Sequence, residues 1–278
     1  MTDHVKDRVI IVTGAGGGFG RLIAEITAAR GAKVIGADVN SDGLAETEST
    51  IAAAGGTFVG QLTDVTDRDQ MLSLAKLAIE NFGAIDVMIN NAGTMPLAFY
   101  ADHADAWQAW NRCIDINIKG ILNGISAVYD QMITQGRGHV INISSIYGNF
   151  PVAGAAVYGA TKAAVNVLSE SLRVEAQGKV KVTLVKPTGV PATGLGTTIV
   201  NQSGVIGIVG HNFPTFTESV TKLMGGELSG PEADENSAKY WAIEPRHLAD
   251  SVVYAIDQPW GVSIGDITVR ATGENYIL

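Results

Sequence analysis

The chain has 278 residues, 46% of them hydrophobic and 17% charged, a balance that suits a globular protein and excludes a disordered one. Its formal charge of −9 speaks against general nucleic-acid binding, which needs a basic face to displace phosphate counterions. Cys113 is the single cysteine, so an internal disulfide and a cysteine-rich metal site are excluded. No apolar run approaches the roughly 20 residues of a membrane span, and Met1-Thr2-Asp3-His4 leads into a strand pattern with no secretory signal. The expectation is a cytoplasmic protein.

Strand and helix patterns alternate along most of the chain. Arg8 to Thr13 is a short apolar run closed by glycines, and Phe19 to Arg30 follows with helical spacing at Leu22, Ile23 and Ile26. Lys33 to Asp38 reads as a second strand, and Leu44 to Ala54 as a second helix ending at Gly55-Gly56. Thr57 to Leu62, Ile85 to Asn90, Val140 to Ser144 and Val180 to Lys186 are further buried strands, separated by helical patterns at 67–81, 105–134 and 156–177. Ile264 to Arg270 is the expected last strand. This rhythm predicts an α/β fold, one doubly wound parallel sheet with helices on both faces, formed by residues 1–278 as a single domain. From about 189 to 244 the chain is rich in Gly, Thr, Ser and Pro with weak periodicity. It reads either as a surface insertion or, preferably, as a lid over a substrate.

Gly14, Gly18 and Gly20 fall between the first strand and the first helix. They would allow a tight turn and close approach to a pyrophosphate, with the helix beginning near Phe19 aiming its positive end at the phosphates. Asp38 ends the second strand, 24 residues after Gly14. A carboxylate there accepts both ribose hydroxyls of an adenosine and repels a 2′-phosphate, and neither Ala15 nor Val39 supplies a cation, so NAD is favoured over NADP. The other reading of Asp38 is a cap for the following turn.

Tyr158 and Lys162 are four apart on one helix face, and of the seven tyrosines only Tyr158 has a lysine at that spacing. Ser144-Ser145 ends the preceding strand, and Asn117 lies in the long helical segment before it. With the glycine loop at 13–20 and Asn90-Asn91-Ala92-Gly93, these residues resemble the short-chain dehydrogenase/reductase family, in its order and spacing over residues 5–190.

The resemblance implies a Rossmann-type fold and a catalytic set of Asn117, Ser145, Tyr158 and Lys162. Tyr158 would exchange the proton of the alcohol or carbonyl oxygen. Lys162, together with an oxidised nicotinamide, would lower the tyrosine pKa, and would bond the nicotinamide ribose, while Ser145 would hold the substrate oxygen. Family pattern selects Ser145 over Ser144, because the serine lies thirteen residues before the tyrosine. Asn117 would anchor a relay water. Asn91, Ala92 and Gly93 would lie against the adenosine, Asp64 and Val65 against the adenine, and Pro187 and the Val190 backbone near the nicotinamide. Asp64 reads equally as a helix N-cap. The scheme needs no metal, and His4, His103, His139, His211 and His247 have no ligand-like spacing.

Two departures from the family pattern stand out. Where many members have Pro-Gly, the chain reads Pro187-Thr188-Gly189-Val190-Pro191-Ala192-Thr193, with the glycine displaced by one. The C-terminal strand lacks the glycine-rich motif of fatty-acid-type reductases, which argues against a ketoreductase of that kind. Met95, Leu97, Phe99, Tyr147, Phe150, Val152, Ile199 and Phe213 are the expected substrate lining, suited to a hydrophobic, uncharged alcohol or ketone. Between Gly189 and Ala238 the only Lys or Arg is Lys222, against five carboxylates, which disfavours an acyl-CoA or anionic substrate.

Trp107, Trp110, Ile114 and Ile118 form a helical stripe, read as core or as the interface of a homodimer or homotetramer of the kind family members build. The overall expectation is an NAD(H)-dependent alcohol dehydrogenase or ketone reductase. The competing readings are a non-catalytic NAD(H) redox sensor and an epimerase-type relative, whose usual glycine spacing differs from that seen here.

Overall fold

Seven strands make up the sheet: β1 (Val9–Thr13), β2 (Lys33–Asp38), β3 (Thr57–Leu62), β4 (Val87–Asn90), β5 (Gly138–Ile143), β6 (Val180–Pro187) and β7 (Asp266–Val269). Every neighbouring pair is parallel, and the order is β3-β2-β1-β4-β5-β6-β7. The protein is described by a computed structural model covering residues 3–190 and 193–277. Met1 and Thr2 of the N-terminal lead-in and Pro191 and Ala192 of the segment after β6 lie outside the described residues. The chain runs outward from β1 to β3, then returns to place β4 on the other side of β1. That reversal opens a crevice at the carboxyl ends of β1 and β4, where ligands of such sheets bind.

Burial on both faces explains the apolar strands: all five residues of β1 and all four of β4 are buried. One face is covered by α1 (Gly18–Ala29), α2 (Ser41–Ala53) and α9 (Pro245–Ile256), which pack Ile23, Leu44 and Val252 onto Ile10 and Val12. The other carries α3 (Arg68–Phe82), α5 (Gly120–Gln135) and α6 (Ala156–Glu175), with Met71, Val128 and Leu172 against Ile11 and Met88. A fully buried Ile or Met of this kind stabilises by about 1.5–3 kcal/mol. Side chains start two of these helices. Asn40 accepts from Gly43 N at 3.1 Å, and Asp67 accepts from Asp69 N at 2.9 Å.

Three elements differ from the sequence reading. The helix expected over 105–134 is α4 (His103–Ile114), a π-helical turn at Asp115–Lys119, and then α5. Trp107, Trp110 and Ile114 all lie in α4, before that turn, and already do not form one buried stripe. Trp110 is buried and donates its indole N–H to the Pro96 carbonyl at 3.2 Å, whereas Trp107 is 59% exposed. Helix α9 was not read from sequence, although Leu248, Ala249, Val252, Val253 and Ile256 have helical spacing and Pro245 sits at its start. The weakly periodic stretch before it concealed the pattern. That stretch is itself largely helical over its described residues, with α7 (Ile206–Val209), α8 (Phe213–Met224) and several 3₁₀ turns.

Candidate active site

The crevice above β1 and β4 opens into a cleft of about 1040 Å³. Its floor starts at Gly14 and Gly18, whose φ of 70° and 51° lie in the left-handed region that glycine occupies without strain. Gly20 lies beneath rather than on the cleft wall. A Cβ there would sit 2.0 Å from the Gly14 carbonyl oxygen, so only glycine lets α1 press against the loop. The space over Gly17 and Gly18 is open, and α1 begins there with no side chain capping its free N–H groups. Those groups suit a pyrophosphate.

Asp38 closes the other side of this cradle. Its two carboxylate oxygens accept from Gly16 N at 2.9 Å and Asn40 N at 3.0 Å, so it both faces the cleft and supports the turn. The two readings of Asp38 are therefore compatible. At the crevice itself Thr13 Oγ1 accepts from Asn91 N at 3.0 Å and Ala92 N at 3.1 Å, and Asn91 Nδ2 donates back to Thr13 O at 2.9 Å. Phe19, Asn91, Ala92, Gly93, Pro187 and Val190 line the cleft as expected. Asp64 and Val65 are not among its lining residues. Asp64 accepts from Thr66 N at 2.9 Å, while the N-cap of α3 is Asp67, so Asp64 holds a turn and does not cap the helix.

Ser145, Tyr158 and Lys162 meet on the cleft wall, brought there by the end of β5 and by α6. Ser145 Oγ accepts from Tyr147 N at 3.2 Å, and the Ser145 hydroxyl acts on the Tyr158 phenol so as to favour its ionised form. Lys162 Nζ donates to the Ile143 carbonyl at 2.9 Å and lies 5.7 Å from the Tyr158 ring centre. Ser144 also lines the cleft, but its hydroxyl is committed to Asn166 Oδ1 at 2.6 Å, which separates the roles of the two serines.

Asn117 stands behind this wall, fully buried in the π turn. Its Oδ1 accepts from Thr94 N at 3.0 Å and its Nδ2 donates to Thr94 O at 3.0 Å. A Cβ on Gly93 would fall 3.3 Å from Asn117 Oδ1 and 3.7 Å from Lys162 Nζ, so the missing side chain leaves the two groups facing one space. Irregular turns of this type recur at functional sites.

Burial pushes the Tyr158 phenol well above its ordinary value, opposed by the Ser145 hydrogen bond, and the nearby lysine does not reverse it. Burial also pushes Lys162 down to about 8. A desolvated ammonium is a costly neighbour and a ready proton donor. Cys113, close by, is pushed up to about 11 by burial and is a poor nucleophile.

The substrate half also needs correction. Met95, Tyr147, Ile199 and Phe213 line the cleft, but Leu97 and Val152 are buried in the core beneath it, and Phe150 is 57% exposed. Phe99 is not on the wall either. Their places are taken by Phe216 and Met224 of α8, by Trp241, and by Glu274 and Tyr276 near the C-terminus. No local pattern marks these residues, because only tertiary packing brings them to the cleft. Gly189 has a related explanation. A Cβ there would lie 1.8 Å from the Tyr276 hydroxyl, so glycine is required at this position, one residue later than in the common pattern.

A switch-point crevice with a glycine cradle at one end and a Ser-Tyr-Lys set at the other defines a nucleotide-dependent oxidoreductase of the doubly wound α/β class. The short-chain dehydrogenase model matches residues 8–204, and the chain belongs to that family. An uncharacterised oxidoreductase of Listeria innocua is 35% identical over 98% of this chain and 99% of its own length. The glycine betaine reductase of Emericella nidulans is 32% identical over 97% of this chain, which spans only 19% of that protein. Two solved structures are each 28% identical. One is a metagenomic short-chain oxidoreductase in complex with NADP, with a TM-score of 0.72 over 97% of this chain and 99% of its own. The other is a short-chain dehydrogenase/reductase of Burkholderia phymatum in complex with NAD, with a TM-score of 0.74 over 96% and 90%.

Proposed function

We propose that the protein transfers a hydride between NAD(H) and the secondary alcohol or ketone carbon of a neutral substrate with an apolar body. The observation that carries this reading is the meeting of Ser145, Tyr158 and Lys162 on one wall of a cleft whose far end is closed by Asp38. The structural likenesses include NADP and NAD complexes and do not choose between them. The Asp38 carboxylate favours NAD, since it would face a 2′-phosphate. Arg21, in the first turn of α1, is engaged by the Gly16 carbonyl at 2.8 Å and by Glu46 at 2.8 Å.

When bound, the nicotinamide ring supplies or accepts the hydride. Gly14, Gly18 and the first turn of α1 would hold the pyrophosphate, Asp38 the adenosine ribose, and Lys162 the nicotinamide ribose. Ser145 orients the substrate oxygen and stabilises the charge that develops on it. Tyr158 gives that oxygen a proton in reduction and removes it in oxidation. A tyrosine buried this deeply favours the protonated form, which suits it to reduction near neutral pH. Lys162, held near 8, can replace the lost proton, and the space it shares with Asn117 over Gly93 would seat a relay water.

The segment from Gly189 to about Glu244 acts as a lid, since Phe213, Phe216 and Met224 cover the substrate half. Trp107 and Ile114, exposed on one helix, fit an interface in a homo-oligomer, which light scattering reads directly. No helix among the described residues is long and apolar enough to cross a membrane, and we assign the protein to the cytoplasm.

The test is nicotinamide absorbance with NAD(H) and NADP(H) against neutral ketones and secondary alcohols. Turnover with NAD(H) that drops by about 10²–10⁴ in Tyr158→Phe is expected. A preference for NADP(H) would remove the role given to Asp38. Binding without turnover across the panel would favour a redox sensor.

A further inference from the structure

Three phenols converge on the substrate end of the cleft. Tyr158 belongs to the reaction; Tyr147 and Tyr276 do not, yet both line the same wall. Tyr147 packs edge-on against Tyr158, with ring centres 5.5 Å apart and planes at 69°. Tyr276 arrives from the opposite direction, 118 residues later in the chain, and its hydroxyl occupies the space that a side chain at 189 would need. Both residues line the cleft, and neither hydroxyl is among the buried polar atoms left without a partner, so both phenols are open to the cleft rather than sealed in the core. Burial pushes both phenols up, with Tyr276 and Tyr158 adding to it at Tyr147 and Glu274 and Tyr158 adding to it at Tyr276, so both remain protonated donors across the working pH range.

A hydroxyl facing the cleft can exchange a solvent hydrogen bond for one to a ligand oxygen at little cost if it is already held in place. The segment that carries Tyr276 is firmly held. Asn275 Oδ1 accepts from the Trp241 indole at 2.5 Å, Asn275 O accepts from Asn212 Nδ2 at 2.9 Å, and Ile277 N donates to Ile208 O at 2.9 Å. Its phenol is thus pre-positioned by the same residues that form the lid. Lys162 is the only Lys or Arg among the described residues lining the cleft, while Glu274 adds a carboxylate beside Tyr276. The pair of donors therefore suits a neutral acceptor better than an anion.

We infer that Tyr147 and Tyr276 form a second oxygen-binding subsite, and that the substrate carries a neutral carbonyl or hydroxyl oxygen on the carbon next to the one that reacts. The class is an α-diketone or α-hydroxyketone, or the corresponding vicinal diol, with an apolar remainder against Phe216 and Met224. The assignment rests on the hydride-transfer reading above and narrows it. Ser145 and Tyr158 address the first oxygen, and the two other phenols address the second.

The experiment compares 2,3-hexanedione with 2-hexanone in the wild type, Tyr276→Phe and Tyr147→Phe. The two ketones differ in intrinsic reactivity, but that difference is common to all three proteins and cancels when kcat/KM ratios are compared. Loss of one neutral hydrogen bond is expected to lower the diketone preference about tenfold in each variant. A purely structural role would lower both substrates alike and leave the ratio within twofold of wild type, which overturns the assignment. So would an NADH Kd weakened more than threefold, since the phenol would then serve the cofactor. Calorimetric titration of the same pair gives Kd ratios without turnover. A tenfold change there upholds the subsite even if hydride transfer fails, and an unchanged ratio rejects it while leaving hydride transfer intact.

Discussion

Replacing Lys162 by methionine should make the folded protein more stable while removing its activity. The reason lies in the burial of Lys162, which is 5% exposed and pushed down to about 8 from an ordinary value near 10.5. Below about pH 8 the folded state must hold a charge that the unfolded chain leaves in water. At about 1.4 kcal/mol per pKa unit, that costs about 3 kcal/mol at pH 7. Methionine removes the charge but leaves the Ile143 carbonyl without its 2.9 Å donor, a loss of about 1 kcal/mol. The net gain is about 2 kcal/mol. For a chain of this length the unfolding entropy is about 0.6 kcal/mol/K, so Tm should rise by about 3 °C.

The sign with pH is fixed by the same shift. Between about 8 and 10.5 the unfolded lysine keeps a proton that the folded one has released, so wild-type stability gains with pH across that window. The advantage of Lys162→Met should be full at pH 7 and largely gone above pH 10.5. Thermal unfolding followed by circular dichroism at pH 7, 9 and 10.5, without added nucleotide, measures it. A variant less stable at pH 7, or a difference that does not shrink with pH, would refute the argument that the site stores an unfavourable charge.

Gly20→Ala would drive a Cβ to 2.0 Å from the Gly14 carbonyl and lift α1 off the loop, and NADH affinity should fall by at least about tenfold in a fluorescence titration. Affinity within twofold of wild type would show that the cradle does not depend on that contact. Asn142 accepts from Asn90 Nδ2 at 2.8 Å and donates to Ser169 Oγ at 2.8 Å, fully buried. Asn142→Ala strands Asn90 Nδ2, while the Ser169 hydroxyl keeps its 2.7 Å bond to the Val165 carbonyl, and should cost about 1–3 kcal/mol in urea unfolding. His139 is held well below its ordinary value, chiefly by burial and also by Lys181 and Arg8. The unfolded histidine therefore takes up a proton below about 6.5 that the folded one refuses, and stability should fall as pH drops from 7 to 5. In His139→Gln that part of the slope, at most about 1.4 kcal/mol per pH unit, should vanish from urea midpoints compared at the two ends of the range.

All seven strands were legible to within two residues, because their short apolar runs end at glycine or polar stops, most continuously in β1 and β4, which are buried throughout. Tyr158, Lys162 and Ser145 were legible because α6 and the end of β5 fix their spacing locally. Asn117 was placed correctly, but the π turn that aims it at Thr94 left no periodic trace, since one extra residue in a long helix shifts the pattern without ending it. Tyr276 was invisible for a different reason. Its meaning depends on Gly189, 87 positions earlier, and neither residue suggests the other until the chain is folded. Leu97 and Val152 show the converse. They were read as substrate contacts from their neighbours in sequence, but they lie one layer deeper, in the core that supports the wall.

The bond from Asn91 to Thr13 spans 78 residues and ties the two sides of the crevice together. During refolding β1 and α1 can form early from adjacent sequence, but the crevice does not exist until β4 crosses back and docks beside β1. Closing a loop of that length is entropically unfavourable, and such long-range pairing is slow to form. Nucleotide binding should therefore be acquired late, after most helical signal has returned, and the crevice cannot form before about a third of the chain has been synthesised.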